Sequence, residues 1–132
     1  MKRTQAWAVM ALAAAAVAGC GGGGDEQAVR TAVNGWIGAV VRHDDAAACA
    51  RLSSDLRRRL ERHLLGEGVK GSCKTWAAKY VSPRHPASQR AARITAVRIR
   101  DARATVSLTA PGVPPGSATL VKERGRWRID DY

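Results

Sequence analysis

The sequence contains no phenylalanine, and its aromatic residues are limited to four tryptophans and two tyrosines. An interior built mainly from alanine, valine, leucine and tryptophan is thin, so a small domain of this kind needs additional stabilisation. Acidic residues are also few, because 11 aspartates and glutamates stand against 22 lysines and arginines, for a formal net charge of +11. Such an excess favours anionic partners.

No apolar run is long enough to cross a bilayer comfortably. The longest, Ala6 to Ala18, is shorter than the roughly 20 residues that a transmembrane helix requires. It follows Lys2 and Arg3, and a positive start before a short apolar run is typical of a secretory signal peptide.

The apolar run ends in Val17-Ala18-Gly19-Cys20, which resembles the lipobox of bacterial lipoproteins. The resemblance implies that residues 1–19 are a signal peptide, cut before Cys20, and that the Cys20 thiol carries a diacylglyceryl group. It also implies a lipid-anchored protein on the extracytoplasmic face of the cell membrane. The alternatives are an ordinary secretory signal and a buried helix with an incidental cysteine.

Residues 20–24 form a glycine-rich segment that predicts a flexible tether, spanning about 12 Å on average. Removal of residues 1–19 takes away Lys2 and Arg3 and no acid, which lowers the net charge from +11 to +9. The basic domain is therefore expected close to the membrane, with anionic lipid or wall polymer as candidate partners. Nucleic acid is not expected, because the compartment is wrong and basic and aromatic residues are not interleaved.

Two cysteines remain once Cys20 is assigned to lipid, and they predict a Cys49–Cys73 disulfide in an oxidising compartment. The alternative is two unpaired buried thiols. The histidines show no ligand spacing, so neither a metal nor a cofactor is predicted; they are His43, His63 and His85.

Helical patterns occupy the first half of the mature chain. They predict a helix over Asp25–Arg42, a short helix over Ala46–Ala50 capped by Asp44, a third helix capped by Ser53 or Ser54 and ending at Gly66, and a fourth over Cys73–Tyr80. A loop is predicted over Val81–Ser88, which contains two prolines.

Strand patterns occupy the second half. They predict strands over Ala92–Arg100, Ala104–Thr109 and Thr119–Val121, and a last strand containing Trp127 and Ile129, with a loop over Pro111–Gly116. Helices followed by an antiparallel meander predict an α+β fold.

A first helix with Trp36, the segment Asp-Asp-Ala-Ala-Ala-Cys at 44–49 and the terminal Gly-Arg-Trp-Arg-Ile-Asp at 125–130 resemble the nuclear transport factor 2-like (NTF2-like) superfamily. The resemblance implies a domain over residues 25–132, in which N-terminal helices pack on a curved antiparallel sheet of three to four strands. The helices and sheet form a cone with a pocket at its open end. It also implies a short strand between the helices, for which the region of Val69 is the candidate.

Three functional classes follow: a non-catalytic domain that binds a small ligand or protein in the cone, a basic module that binds anionic envelope surfaces, and an enzyme of isomerase or dehydratase type. Members of the superfamily that are enzymes use a carboxylate or histidine base with an acidic donor, and the candidates here are His43, Asp44, Asp45, Tyr80 and Asp130. None has a partner at an informative spacing, so the non-catalytic class is predicted. The residues predicted to line or close a pocket are Trp36, Trp76, Tyr80 and Trp127.

Overall fold

The computed structural model describes residues 23–81 and 90–132, which form helices followed by an antiparallel sheet. The helices are α1 (Gly23–Val41), α2 (Asp45–Ala50), α3 (Ser54–Gly66) and α4 (Cys73–Tyr80), and the strands are β1 (Arg93–Arg100), β2 (Arg103–Ala110), β3 (Val113–Glu123) and β4 (Arg126–Asp131). The predicted α+β class is confirmed.

Side-chain caps set the helix starts that the sequence predicts. The Asp44 carboxylate accepts a hydrogen bond from the Ala47 amide at 3.0 Å, and the Ser53 hydroxyl accepts one from the Leu56 amide at 2.9 Å. Helix α1 begins at Gly23 rather than Asp25, so two of the predicted tether residues are helical. The acidic Asp25 and Glu26 then lie in the first turn, where they favour the positive end of the helix dipole.

The sheet is a meander in the order β1-β2-β3-β4. At its β4 edge, Leu52 forms a parallel bridge with Ile129, supported by a hydrogen bond from the Ser53 amide to the Ile129 carbonyl at 2.7 Å. Leu52 lies between α2 and α3, so this bridge stands where the resemblance implies a short strand between the helices. The expected position near Val69 is wrong, because the Val69 amide donates to the Leu64 carbonyl and closes the end of α3 instead.

The predicted loop over Pro111–Gly116 is correct for the turn at Pro111 and Gly112 and wrong beyond it, because β3 begins at Val113 and includes Pro114 and Pro115. The β2–β3 register jumps between the pairs Leu108–Gly116 and Ala110–Val113. The two prolines therefore lie in a bulge, where their missing amide hydrogens cost no regular ladder bond. In addition, β4 pairs with β3 only from Thr119 onward.

One face of the sheet packs against the helices and forms the core. Its centre is completely buried and consists of Val29 and Val33 from α1, Val106 from β2, Leu120 from β3 and Ile129 from β4. The space between α1 and the sheet is thus filled by aliphatic side chains, and the opposite face of the sheet carries exposed polar and arginine side chains.

The Cys49 and Cys73 sulfur atoms are 2.05 Å apart, a disulfide distance that joins α2 to the start of α4. Both residues are buried in the main core. The predicted pairing is confirmed at this level, and it links two short helices that lie 24 residues apart in the chain.

Several predictions lie outside the described residues: the signal peptide, Cys20, the first part of the tether, His85 and most of the Val81–Ser88 loop. Within residues 23–81 and 90–132, no helix combines the length and apolar character needed to cross a membrane.

Candidate binding surfaces

Three of the four predicted pocket residues meet on one surface, together with a residue that the sequence analysis missed. Trp36 and Tyr132 have ring centroids 4.7 Å apart, Trp76 lies 6.2 Å from Tyr132, and Tyr80 lies 5.8 Å from Trp76. We call Trp36, Trp76, Tyr80 and Tyr132 the aromatic patch. Its members come from α1, α4 and the residue after β4, so no local sequence pattern brings them together.

Charged groups border the aromatic patch at the end of α3. The Glu67 carboxylate accepts hydrogen bonds from the Tyr80 hydroxyl and from the Lys79 ammonium, the latter at 2.7 Å, and His63 lies 3.4 Å away. Lys79, followed by Tyr80, holds the pKa of Glu67 below its ordinary value of 4.5. A carboxylate with a lowered pKa is a weak base at neutral pH, so this cluster is better explained as a link between α3 and α4.

The other candidate acids and bases have contacts that stabilise the fold. Asp44 caps α2, His43 occupies the left-handed turn before it, and Asp45 is the first residue of α2. Asp130 accepts a hydrogen bond from the Ser53 hydroxyl at 2.6 Å and lies 3.8 Å from both Arg59 and Arg103. Among the described residues, no group of three or more histidine, cysteine or acidic side chains is placed to hold a metal ion.

Trp127, the fourth predicted pocket residue, lies apart from the aromatic patch, beside the first turn of α1. Its indole Nε1 donates to Asp25 Oδ1 at 3.2 Å, and Lys122 Nζ lies 3.0 Å from the same oxygen. The Lys122 ammonium also lies 5.6 Å from the centre of the Trp127 ring. These contacts tie the start of α1 to the β3–β4 hairpin across about one hundred residues of sequence.

The hydrogen bond from Lys122, followed by that from Trp127, lowers the pKa of Asp25 from its ordinary value of 3.8. A lowered pKa in the folded state means that Asp25 stabilises the fold above about pH 3.8 and loses this effect as the pH falls through the folded pKa. We therefore expect Asp25→Asn to destabilise the domain at pH 6, with the difference from wild type shrinking below pH 3.8.

Urea unfolding of the chain from residue 20, with Cys20→Ser, measures this difference across the pH range. Asp101→Asn is the matched control, since Asp101 lies in the exposed left-handed turn between β1 and β2. A difference for Asp25→Asn that is independent of pH down to pH 3 would contradict the assigned role of its charge.

A groove of about 710 Å³ runs between α1 and the β3–β4 hairpin. We call it the hairpin groove, and its principal lining residues are Gln27, Ala28, Thr31, Arg51, Arg126 and Trp127. Gly24 and Arg128 also line it, and no carboxylate is among its lining residues. The groove could not be found from the sequence, because Arg51 precedes α3 whereas the other cations lie on β4.

Arg51 reaches the groove by lying across α1. Its guanidinium atoms lie 2.6–2.8 Å from the point where a side chain at Gly35 would begin, so glycine at that position permits the close approach. Arg128 donates to the Ala50 carbonyl and thereby fixes β4 beside the end of α2. Arg51, Arg126 and Arg128 therefore give the lining of the groove a positive charge around Trp127.

The tip of the β3–β4 hairpin extends this positive surface. Arg124 and Arg126 are exposed, and they line a neighbouring hollow with Arg57 and Arg128. The one acid lining that hollow is Glu123, whose carboxylate accepts hydrogen bonds from the Ser54 amide and hydroxyl at 2.8 and 2.9 Å. Burial opposes its charge, yet these hydrogen bonds and the nearby Arg57 and Arg128 keep the pKa of Glu123 below 4.5.

The described domain thus presents two separate surfaces: an aromatic patch, and a basic surface made of the hairpin groove and hairpin tip. Neither comparison with sequences nor comparison with structures adds an assignment, because no protein-family model, no curated protein and no solved structure matches this chain.

Proposed function

We propose that this chain is an exported lipoprotein, anchored to the extracytoplasmic face of the cell membrane through Cys20. Its domain is a non-catalytic binding module that rests its basic surface on anionic headgroups. The proposed architecture is NTF2-like, with α1 and the sheet as the two sides of the cone.

The N-terminal sequence and the cysteine pair support the export step. Lys2, Arg3 and the apolar run precede the lipobox-like segment that ends at Cys20. The two remaining cysteines lie at disulfide distance, and disulfides persist mainly in oxidising compartments outside the cytoplasm. The two features are independent, and both favour the same location.

The observation that carries the membrane-facing orientation is the link between Asp25 and the hairpin. Cys20 precedes Asp25 by five residues, which span at most about 18 Å when fully extended. Since Asp25 contacts Lys122 and Trp127, the hairpin lies beside the proposed anchor. Its arginines would then lie within reach of the headgroups, where each basic residue contributes about 1 kcal/mol of attraction.

The packing of the interior favours surface binding over an enclosed ligand. In the proposed cone, the space between α1 and the sheet holds Val33, Leu120 and Ile129, all fully buried. A filled interior with an external basic surface fits the electrostatic module, which the sequence analysis gave as an alternative to a cone pocket. The aromatic patch remains the proposed site for a small ligand or protein partner.

Vesicle co-sedimentation tests the electrostatic part of the proposal. The chain from residue 20, with Cys20→Ser and no lipid, should bind phosphatidylglycerol vesicles weakly, and added salt should weaken this binding. Arg124→Asn with Arg126→Gln should reduce binding by about tenfold or more, since two charges near the surface are removed. Asparagine suits position 124, which has a left-handed backbone.

The matched control is Arg42→Gln with Arg62→Gln, which removes the same charge from exposed positions away from the hairpin. Binding should remain within about twofold of the parent chain, apart from the general loss of charge. Equal effects of the two double variants, or binding that ignores salt, would contradict the proposed orientation.

A further inference from the structure

We propose that the hairpin groove binds the headgroup phosphate of an anionic phospholipid. The inference rests on the proposed membrane location and deepens it, because it replaces a general attraction to the surface with a defined lipid site. Arg51 and Arg126 are the residues that would recognise the phosphate.

The groove is lined by arginines, the residue type that best recognises phosphate. Arg51 and Arg126 both line the groove, one from the α2–α3 connection and one from β4. Neither contributes to an ion pair that we observe among the described residues, so both guanidinium groups can donate to a ligand. Arginine presents a planar set of donors that matches phosphate oxygens and forms charge-assisted hydrogen bonds.

The acids nearest the groove already have partners within the domain. Asp25, at the start of α1, contacts Lys122 and Trp127, and Glu26 forms an ion pair with Arg30 at 2.9 Å. Glu123, on the far side of the hairpin, is held by Ser54. These acids do not pair with Arg51 or Arg126, so the groove stays positively charged. An anion could therefore bind the two arginines without displacing an acidic side chain.

The remaining lining suits a headgroup attached to apolar chains. Gln27 and Thr31 add polar groups from the exposed face of α1, while Ala28 on the same face and the largely buried Trp127 ring add apolar surface. A mixed lining of this kind fits an amphiphile better than a free inorganic anion.

The position of the groove favours a phospholipid as the compound that carries the phosphate. Gly24 lines it, and the four residue steps from Cys20 to Gly24 span at most about 14 Å. An anchor at Cys20 would hold the groove at the membrane surface, where anionic phospholipid is the abundant phosphate ester. The proposal therefore commits to a phospholipid rather than to free phosphate.

The test uses the full chain in uncharged detergent micelles, titrated with short-chain phosphatidylglycerol and followed by calorimetry. We expect saturable binding, with no saturable binding of short-chain phosphatidylcholine and only weak binding of glycerol phosphate. Arg51→Gln with Arg126→Gln should weaken binding by about tenfold or more. The equal-charge control Arg42→Gln with Arg62→Gln should bind like the parent chain.

A second variant does not depend on removing arginines. Ala28→Glu places a carboxylate on the exposed face of α1 inside the groove, whereas Asn34→Glu places one on the same helix at an exposed position outside it. Only Ala28→Glu should weaken phosphatidylglycerol binding. Circular dichroism of both variants checks that α1 and the sheet are retained.

Three results would overturn the lipid site: equal binding of phosphatidylglycerol and phosphatidylcholine, equal effects of the groove and control variants, or glycerol phosphate binding as tightly as the lipid. The experiments distinguish a failure of the lipid site from a failure of the proposed function. A parent chain that takes up no fatty acid would reject the anchor but not the groove, whereas an unaffected Ala28→Glu variant would reject the groove but not the anchor.

Discussion

Cys20→Ser is expected to abolish incorporation of a click-tagged fatty acid into this protein and to release it from the membrane fraction. The effect should be nearly complete, because the thiol is the attachment atom and serine has none. Two acyl chains supply about 0.8 kcal/mol for each buried CH₂, and no contact of the small domain could replace that anchorage.

The matched control for this experiment is Cys49→Ala with Cys73→Ala, which removes the other two cysteines and leaves Cys20 in place. This variant should retain labelling, although it should be less stable. Equal labelling of the parent chain and Cys20→Ser would contradict lipidation at this position and would leave an ordinary secretory signal as the better interpretation of residues 1–19.

Cys49→Ala with Cys73→Ala is expected to lower the free energy of unfolding by about 3 kcal/mol in the chain-entropy description of a cross-link. The disulfide closes a loop with a sequence separation of 24 and holds α2 and α4 together. Both cysteines belong to the main core, so the double variant loses packing as well as the cross-link. For a small domain this is a large part of the total stability.

Urea unfolding of the oxidised chain, the reduced chain and the double variant measures this effect. Reduction separates the cross-link from the loss of sulfur packing, because it opens the bond without removing either atom. Non-reducing peptide mapping of the exported protein should recover the two cysteine peptides as one linked species. Freely alkylatable thiols in the native exported protein, or equal stability before and after reduction, would contradict the prediction.

Local signals in the sequence were sufficient for the order of the helices and strands and for several of their boundaries. Asp44 and Ser53 are short polar residues before helical patterns, and both cap helices in the structure. The alternation of Ala104, Val106 and Leu108 with polar residues predicted β2, whose first two apolar members are fully buried. These features depend on neighbouring residues alone, which is why the sequence reveals them.

Features that depend on distant residues could not be predicted in the same way. Trp127 was grouped with Trp36 and Trp76 because all three lie on apolar faces, yet its partner is Asp25 and it lies at the other end of α1. Tyr132 gave no signal, since its contact with Trp36 exists only because α1 and β4 run side by side. The prolines of β3 misled the loop prediction because a bulge accommodates them.

The same geometry separates the two surfaces in the proposed orientation. Asp25 meets Trp127 near the start of both α1 and β4, whereas Trp36 meets Tyr132 farther along both elements. Eleven residues of helix separate Asp25 from Trp36, a rise of about 16 Å. With the hairpin at the headgroups, the aromatic patch would lie on the part of the domain away from the membrane.

The central claim is that this chain is a lipid-anchored protein whose mature form starts at Cys20, and intact mass spectrometry of the protein purified from host membranes tests it most directly. We expect a chain that begins at Cys20 and is heavier than its sequence by a diacylglyceryl group on Cys20, with the further loss of two hydrogens for the Cys49–Cys73 bond. An unmodified chain, whether it retains Met1 or begins at another residue, would contradict the account.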